Sequence, residues 1–234
     1  MDAMIFDWGG TLTPWHTVDL TEQWRVYASA YHSGSADAIA AALRDAEAEA
    51  WRIAREEHRS TTLEVLISSV GLDPSGPAHV RALQAYRDFW EPHTFSDEEV
   101  MPLFSAIRER GVAIGVLSNT VWSRAEHEAI FRRDGVLGLI DGAVYTSEIE
   151  WTKPHSEAFV LAMKAVGAAD PRRCVYVGDR LFDDIYGARS AGMRAVLLPH
   201  SAIPEDQRGP LDGEPDAVVN RLFDLLPLVD QWAR

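Results

Sequence analysis

The stretch YVGDRLFDDIYGARSAGM, Tyr176 to Met193, changes character halfway along. Its opening continues an apolar run, CVYV from Cys174, that reads as a strand buried on both faces. Gly178 and Asp179 end that run, and from Asp183 to Ala191 apolar residues return at helical spacing. A strand that stops at a carboxylate and passes at once into a helix is one repeat of a parallel sheet with helical crossovers.

The same alternation extends outward in both directions. Short apolar runs at Ala3 to Phe6, Val112 to Leu117, Ala143 to Tyr145 and Ala195 to Leu198 read as further strands, and Ala217 to Val219 as a sixth. Helical spacing occupies Leu103 to Arg110, Ser123 to Arg133 and Ser156 to Val166, with a closing helix near Leu222 to Val229. The expected class is α/β: a parallel sheet with helices on both faces. The first gap breaks the pattern, because no convincing strand lies between Phe6 and Val112. That segment reads as helical throughout, with Ala36 to Arg59, Thr62 to Val70 and His79 to Trp90 carrying the periodicity and Gly71 to Pro77 forming a loop. The expectation is a core built from residues 1–14 and 96–234 and a helical subdomain from 15–95. Pro199 to Pro215, rich in Pro, Gly and Asp, is expected to be a long surface loop.

Bulk composition excludes several classes. The 234 residues are 47% hydrophobic and 25% charged, ordinary for a globular protein. A formal charge of -14 argues against nucleic acid or an anionic membrane surface as partner. No apolar run approaches bilayer length and no basic-then-apolar leader is visible, so a cytoplasmic location is expected. Cys174 is the only cysteine, which rules out an internal disulfide or a cysteine-cluster metal site; its apolar surroundings suit an inert buried thiol. The only lysines are Lys153 and Lys164, which gives a lysine inside a motif unusual weight.

Four motifs stand at four strand ends. In IFDWGGTLT, Ile5 to Thr13, a buried strand ends in Asp7 and two glycines permit a tight turn. A carboxylate there suits a nucleophile or a metal ligand, and equally a turn-capping role. In VLSNT, Val116 to Thr120, Ser118 and Asn119 suit anion binding or a helix N-cap. In WTKPHSEAF, Trp151 to Phe159, Lys153 precedes a proline suited to a first helical turn, where its charge can meet a phosphate or an aspartate. In the fourth, Asp179, Asp183 and Asp184 crowd three carboxylates together, which repel one another unless a cation or a base shares them; N-capping aspartates in a loop are the plain alternative. Oxygen donors of this kind favour Mg²⁺. Ligands of open parallel sheets bind beyond the carboxyl ends of the strands, where all four motifs fall.

The ordered set resembles the haloacid dehalogenase (HAD)-like hydrolase superfamily, in the branch whose helical cap follows the first strand. The resemblance spans nearly the whole chain and implies a Rossmann-like core. It implies that Asp7 attacks substrate; that Asp7, the Gly9 carbonyl and Asp179 hold Mg²⁺; and that Asp184, or its neighbour Asp183, positions a metal-bound water or Lys153. It further implies that Ser118 and Asn119 hold a transferring phosphoryl whose charge Lys153 stabilises, and that the cap selects a small phosphorylated substrate.

One position departs from the family. Phosphatases of this kind carry a second aspartate two residues after the nucleophile, and here Gly9 stands there. General acid–base help of that sort is worth about 10² to 10⁴ in rate. Glycine keeps a carbonyl for a metal but carries no proton, so a phosphatase slow on poor leaving groups is expected. His16 and His58 are the candidates for a substitute acid. A binding or regulatory protein without turnover is the alternative from another class, with a 2-haloacid dehalogenase third. Cap aromatics Trp15, Trp24, Trp51 and Trp90, and Trp8 beside the nucleophile, suit helix packing.

Overall fold

A computed structural model describes residues 1–199, 210 and 212–232. Its strands are β1 (Ala3–Phe6), β2 (Ala113–Ser118), β3 (Gly142–Tyr145), β4 (Cys174–Gly178), β5 (Arg194–Leu197) and β6 (Ala217–Val218). They form one sheet in the order β3-β2-β1-β4-β5-β6, and every pairing is parallel. β1 lies at the centre, with Ala3 opposite both Ala113 and Cys174. The six expected strands are present with ends within about two residues, the ordinary scatter of strand boundaries.

Side chains alternate across the sheet and divide the core in two. Met4 and Phe6 join Val116, Val175 and Val177 on one face, whereas Ala3 and Ile5 join Leu117, Cys174 and Tyr176 on the other. Because both faces are covered, the strands read as unbroken apolar runs.

Between β1 and β2 run α1 (Leu20–Tyr31), α2 (Ala36–Glu57), α3 (Leu63–Ser69) and α4 (Pro77–Trp90). α1, which the sequence left without bounds, starts at an Asp19 cap whose carboxylate accepts from Thr21 N at 2.8 Å. These four helices bury their own cluster, including Trp24, Tyr27, Leu43, Ile67 and Tyr86. After them come α5 (Val100–Glu109), α6 (Arg124–Arg133), α7 (Ser156–Ala165), α8 (Gly187–Ser190) and α9 (Leu225–Trp232). α5 and α9 back the Phe6 face, and α7 and α8 back the Ile5 face.

The helical insert is tied to the core midway along its length. His58 ends α2 in the left-handed region at φ 55° and turns the chain onto the loop before Lys153. There Thr152 N donates to His58 O at 2.9 Å and Ser60 N to Glu150 O at 3.1 Å, and the Ser60 hydroxyl donates to Ile149 O. Arg59 pairs with Glu150 and lies 4.2 Å over the Trp151 ring.

One element differs from a simple expectation. The helix expected from Asp183 to Ala191 opens instead as a wide π turn, Leu181–Tyr186, before α8. Ile185 N donates five residues back to Arg180 O, while Asp184 Oδ2 accepts from Arg180 N at 2.9 Å. The widened turn draws Asp184 toward the strand ends, and such bulges are frequent at functional sites. The expected loop from Pro199 to Pro215 lies largely outside the described residues.

Candidate active site

The loops after β1, β2, β3 and β4 meet at the carboxyl edge of the sheet. Asp7 follows β1 directly, and its backbone N–H donates to Val177 O at 2.9 Å, which continues the ladder one residue past the strand. Lys153 follows β3 through a short turn and is buried, 3% exposed. Its ammonium donates to Asp7 Oδ1 at 2.7 Å, to Asp184 Oδ1 at 2.6 Å and to the Tyr176 hydroxyl at 2.9 Å. Lysine has three donors, and all three are used.

Asp184, not Asp183, is the carboxylate turned inward; it has no exposed surface, whereas Asp183 is half-buried. Gly178 makes this possible, because a Cβ there would sit 2.3 Å from Asp184 Cγ. Gly10 does the same for Asp179: it holds φ 85°, and a Cβ would lie 2.7 Å from Asp179 Oδ2.

Oxygens of Asp7, Asp179 and Asp184 all lie within 4.8 Å of one another. Both Asp179 oxygens are buried without a hydrogen-bond partner. Arg180 Nε comes within 3.3 Å of one of them, but the contact lacks hydrogen-bond geometry. Lys153 bridges two of the three carboxylates and Arg180 pairs with the third, whose oxygens still lack hydrogen bonds that a divalent cation would replace. The donor set is all oxygen, so the residues present fit Mg²⁺.

Burial and the neighbouring charges shift the pKa values of the group. Burial pushes Asp7 up to about 6; Lys153 opposes the rise and Asp184 adds to it. Burial, then the Asp7 and Asp184 charges, push Asp179 well up. Burial followed by Asp184 brings Asp183 to about 6. Burial alone would lower the Lys153 pKa, but the Asp184 and Asp7 charges outweigh it and hold it well above the ordinary lysine value.

Of the expected phosphate-binding pair, Ser118 is buried at the end of β2. The Asn119 amide is engaged with Lys153 itself: Oδ1 accepts from Lys153 N at 2.8 Å, and Nδ2 donates to Lys153 O at 3.1 Å. It therefore fixes the lysine's backbone. Gly9 has no atom within 4 Å of a built Cβ and no positive φ, so this position has room for a side chain.

Neither candidate acid has a hydrogen bond to the Asp7, Lys153, Asp179 and Asp184 group. His16 is exposed beside His93, and His58 contacts Ala54 O and the Phe182 ring. Trp24 is core, Trp8 packs on His127 and Trp122, and Trp15 lies against Gly10 and under Arg180. Sequence reasoning missed Tyr176, whose hydroxyl meets Lys153 and donates to Leu117 O at 3.0 Å. The available signal was a tyrosine inside a doubly buried strand, since its hydroxyl must find a partner there.

Comparison with known proteins shows the family of the chain. The family model for haloacid dehalogenase-like hydrolases matches residues 1–192. A glyceraldehyde 3-phosphate phosphatase of Methanopyrus kandleri is 29% identical over 171 residues, covering 73% of this chain and 72% of that protein. A HAD phosphatase from Thermococcus onnurineus superposes with a TM-score of 0.67 at 19% identity, covering 98% of both chains. A 2-haloacid dehalogenase from Pseudomonas syringae gives 0.65 at 22% identity over 99% of this chain and 100% of that one. At these identities the two structures demonstrate a shared fold alone.

Proposed function

The chain belongs to the haloacid dehalogenase-like hydrolases, and we propose that it is a Mg²⁺-dependent phosphatase of a small phosphorylated metabolite. The observation that carries this reading is the pair of buried Asp179 oxygens that accept no hydrogen bond, beside the Lys153-bridged Asp7 and Asp184. A metal-free dehalogenase has no need of three carboxylates gathered there. The sugar-phosphate phosphatase from Methanopyrus kandleri points the same way.

Asp7, the Gly9 carbonyl and Asp179 would hold the ion, with Asp184, backed by Asp183, orienting Lys153 and a water. Bound Mg²⁺ would supply charge neutralisation for the phosphoryl oxygens. In the first step an Asp7 oxygen attacks phosphorus, the ester P–O bond breaks with its electron pair leaving on the alcohol oxygen, and an aspartyl-phosphate forms. Ser118 would hold a phosphoryl oxygen during that transfer, and the Lys153 charge would stabilise the transferring group. In the second step water attacks the phosphorus, its proton passes to solvent, and Asp7 is released. Gly9 supplies no proton to the leaving alkoxide, so the first step favours good leaving groups. The helices of residues 15–95 act as a cap over the site, and residues 1–14 and 96–234 form the core beneath it.

The test is phosphate release with Mg²⁺ from aryl, acyl and alkyl phosphates. Wild type should turn over the aryl and acyl esters, and Asp7→Asn should lose at least about 10³-fold. Gly9→Asp, for which the structure has room, should gain about 10²-fold on alkyl esters. Turnover unaffected by Asp7→Asn would sink the mechanism. Complete inactivity of wild type, accompanied by ligand binding, would favour the non-catalytic reading that Gly9 motivates.

A further inference from the structure

The Tyr176 hydroxyl joins three parts of the centre at one oxygen. The residue is fully buried in β4, on the Ile5 side of the sheet, with the Phe159 ring edge-on at 5.1 Å. Phenylalanine would fill such a place without needing a polar partner, whereas a buried tyrosine hydroxyl must find one. This one finds two. It donates to Leu117 O at 3.0 Å and accepts from the Lys153 ammonium at 2.9 Å. Burial lifts the phenol's pKa well above the ordinary tyrosine value, so the oxygen beside the ammonium is neutral.

The place of that oxygen gives it a task. β1 lies between β4 and β2, so the side chain reaches across the nucleophile's strand to touch β2. Leu117 is the residue before Ser118, and the ammonium on the other side of the oxygen holds Asp7 and Asp184. An ammonium on a flexible four-carbon stem is fixed only by its acceptors. Asp7 and Asp184 take two of its donors at 2.7 and 2.6 Å. With those two alone it could swing about the line between them, and the third bond removes that freedom. A neutral acceptor does so without adding charge to carboxylates that are already crowded.

We propose that Tyr176 is a positioning residue that holds the Lys153 charge at a set distance from Ser118 and Asp7. The consequence for catalysis rests on the phosphatase reading above; the hold on the lysine does not.

The experiment follows the lysine ammonium groups by nuclear magnetic resonance in protein carrying isotopically labelled lysine. The sequence has only two lysines, and Lys164→Arg assigns the pair. Lys164 is exposed, so its ammonium hydrogens should exchange quickly with water. Those of Lys153 should persist and show a nuclear Overhauser contact to the Tyr176 ring. Tyr176→Phe keeps the ring and removes the oxygen. It should speed Lys153 exchange at least about tenfold, since a hydrogen bond from a charged donor is lost. Its kcat on p-nitrophenyl phosphate with Mg²⁺ should fall about tenfold with KM little changed. A merely structural role would lower stability and move neither readout. A folded Tyr176→Phe protein with unchanged exchange, or with faster exchange and unchanged kcat, would overturn the proposal. If that variant does not fold, the wild-type spectrum decides: no Overhauser contact, or Lys153 exchange as fast as that of Lys164, overturns it. Wild type that hydrolyses no phosphate ester removes the phosphatase reading alone, because the exchange comparison needs no turnover.

Discussion

Lys153 is the residue on which the centre's electrostatics turn. It neutralises Asp7 and Asp184 in a buried setting, and breaking such a set from one side leaves carboxylates stranded. Lys153→Met should lower the unfolding free energy by about 3–5 kcal/mol in urea at neutral pH with chelator present. The deficit should shrink toward pH 4 as Asp7, whose pKa already stands at about 6, takes up a proton. A loss below about 1 kcal/mol at neutral pH would contradict this account. At this scale the sequence was informative where chemistry is rare: one of only two lysines, after a strand and before a proline, drew notice to Lys153. It could not separate Asp183 from Asp184, because the local turn decides which carboxylate points inward. Asn119 looked like a phosphate ligand, and only tertiary contact shows its amide on the Lys153 backbone.

The deciding element is the wide turn Leu181–Tyr186 that follows β4. Apolar spacing predicts a helix there, and spacing at the level of three or four residues does not resolve one residue of widening. The turn works because Gly178 leaves room for Asp184. Gly178→Ala should push Asp184 away from Lys153 and lower phosphate release by about 10²-fold, the usual effect of displacing a catalytic group by about an ångström. Near-wild-type activity in a folded Gly178→Ala protein, verified by circular dichroism, would show that the close packing is not needed. The strands were legible because burial on both faces writes them as uninterrupted apolar runs. α1 was not bounded in advance, although Gln23, Trp24, Tyr27 and Ala28 bury one face of it.

Across the whole molecule, pH and metal should act on stability together. The Asp7 and Asp179 carboxyls have folded-state values above the ordinary aspartate value, so the folded protein holds protons that the unfolded chain releases. Their contribution is therefore favourable at low pH and is lost as pH rises, for Asp7 through about 6. Mg²⁺ should remove this penalty by binding the ionised forms. Thermal melts with EDTA or Mg²⁺ should show a metal-induced rise in Tm of several degrees near pH 7.5 that nearly vanishes near pH 5. Asp179→Asn should abolish it, and a rise independent of pH would argue against metal at these carboxylates. The α/β class and the helical insertion were legible from the order of elements. The strand order β3-β2-β1-β4-β5-β6 was not, since nothing in a strand's own residues names its neighbours.

The tie between His58 O and Thr152 N stands one peptide from the buried cation. If the helices rise by more than the reach of a hydrogen bond, that link breaks and the lysine's main chain is left to Asn119. On the proposed capping role, admission of a ligand and the setting of Lys153 beside Asp7 would be mechanically geared, so an uncovered protein would also be one whose lysine is slackened against its nucleophile.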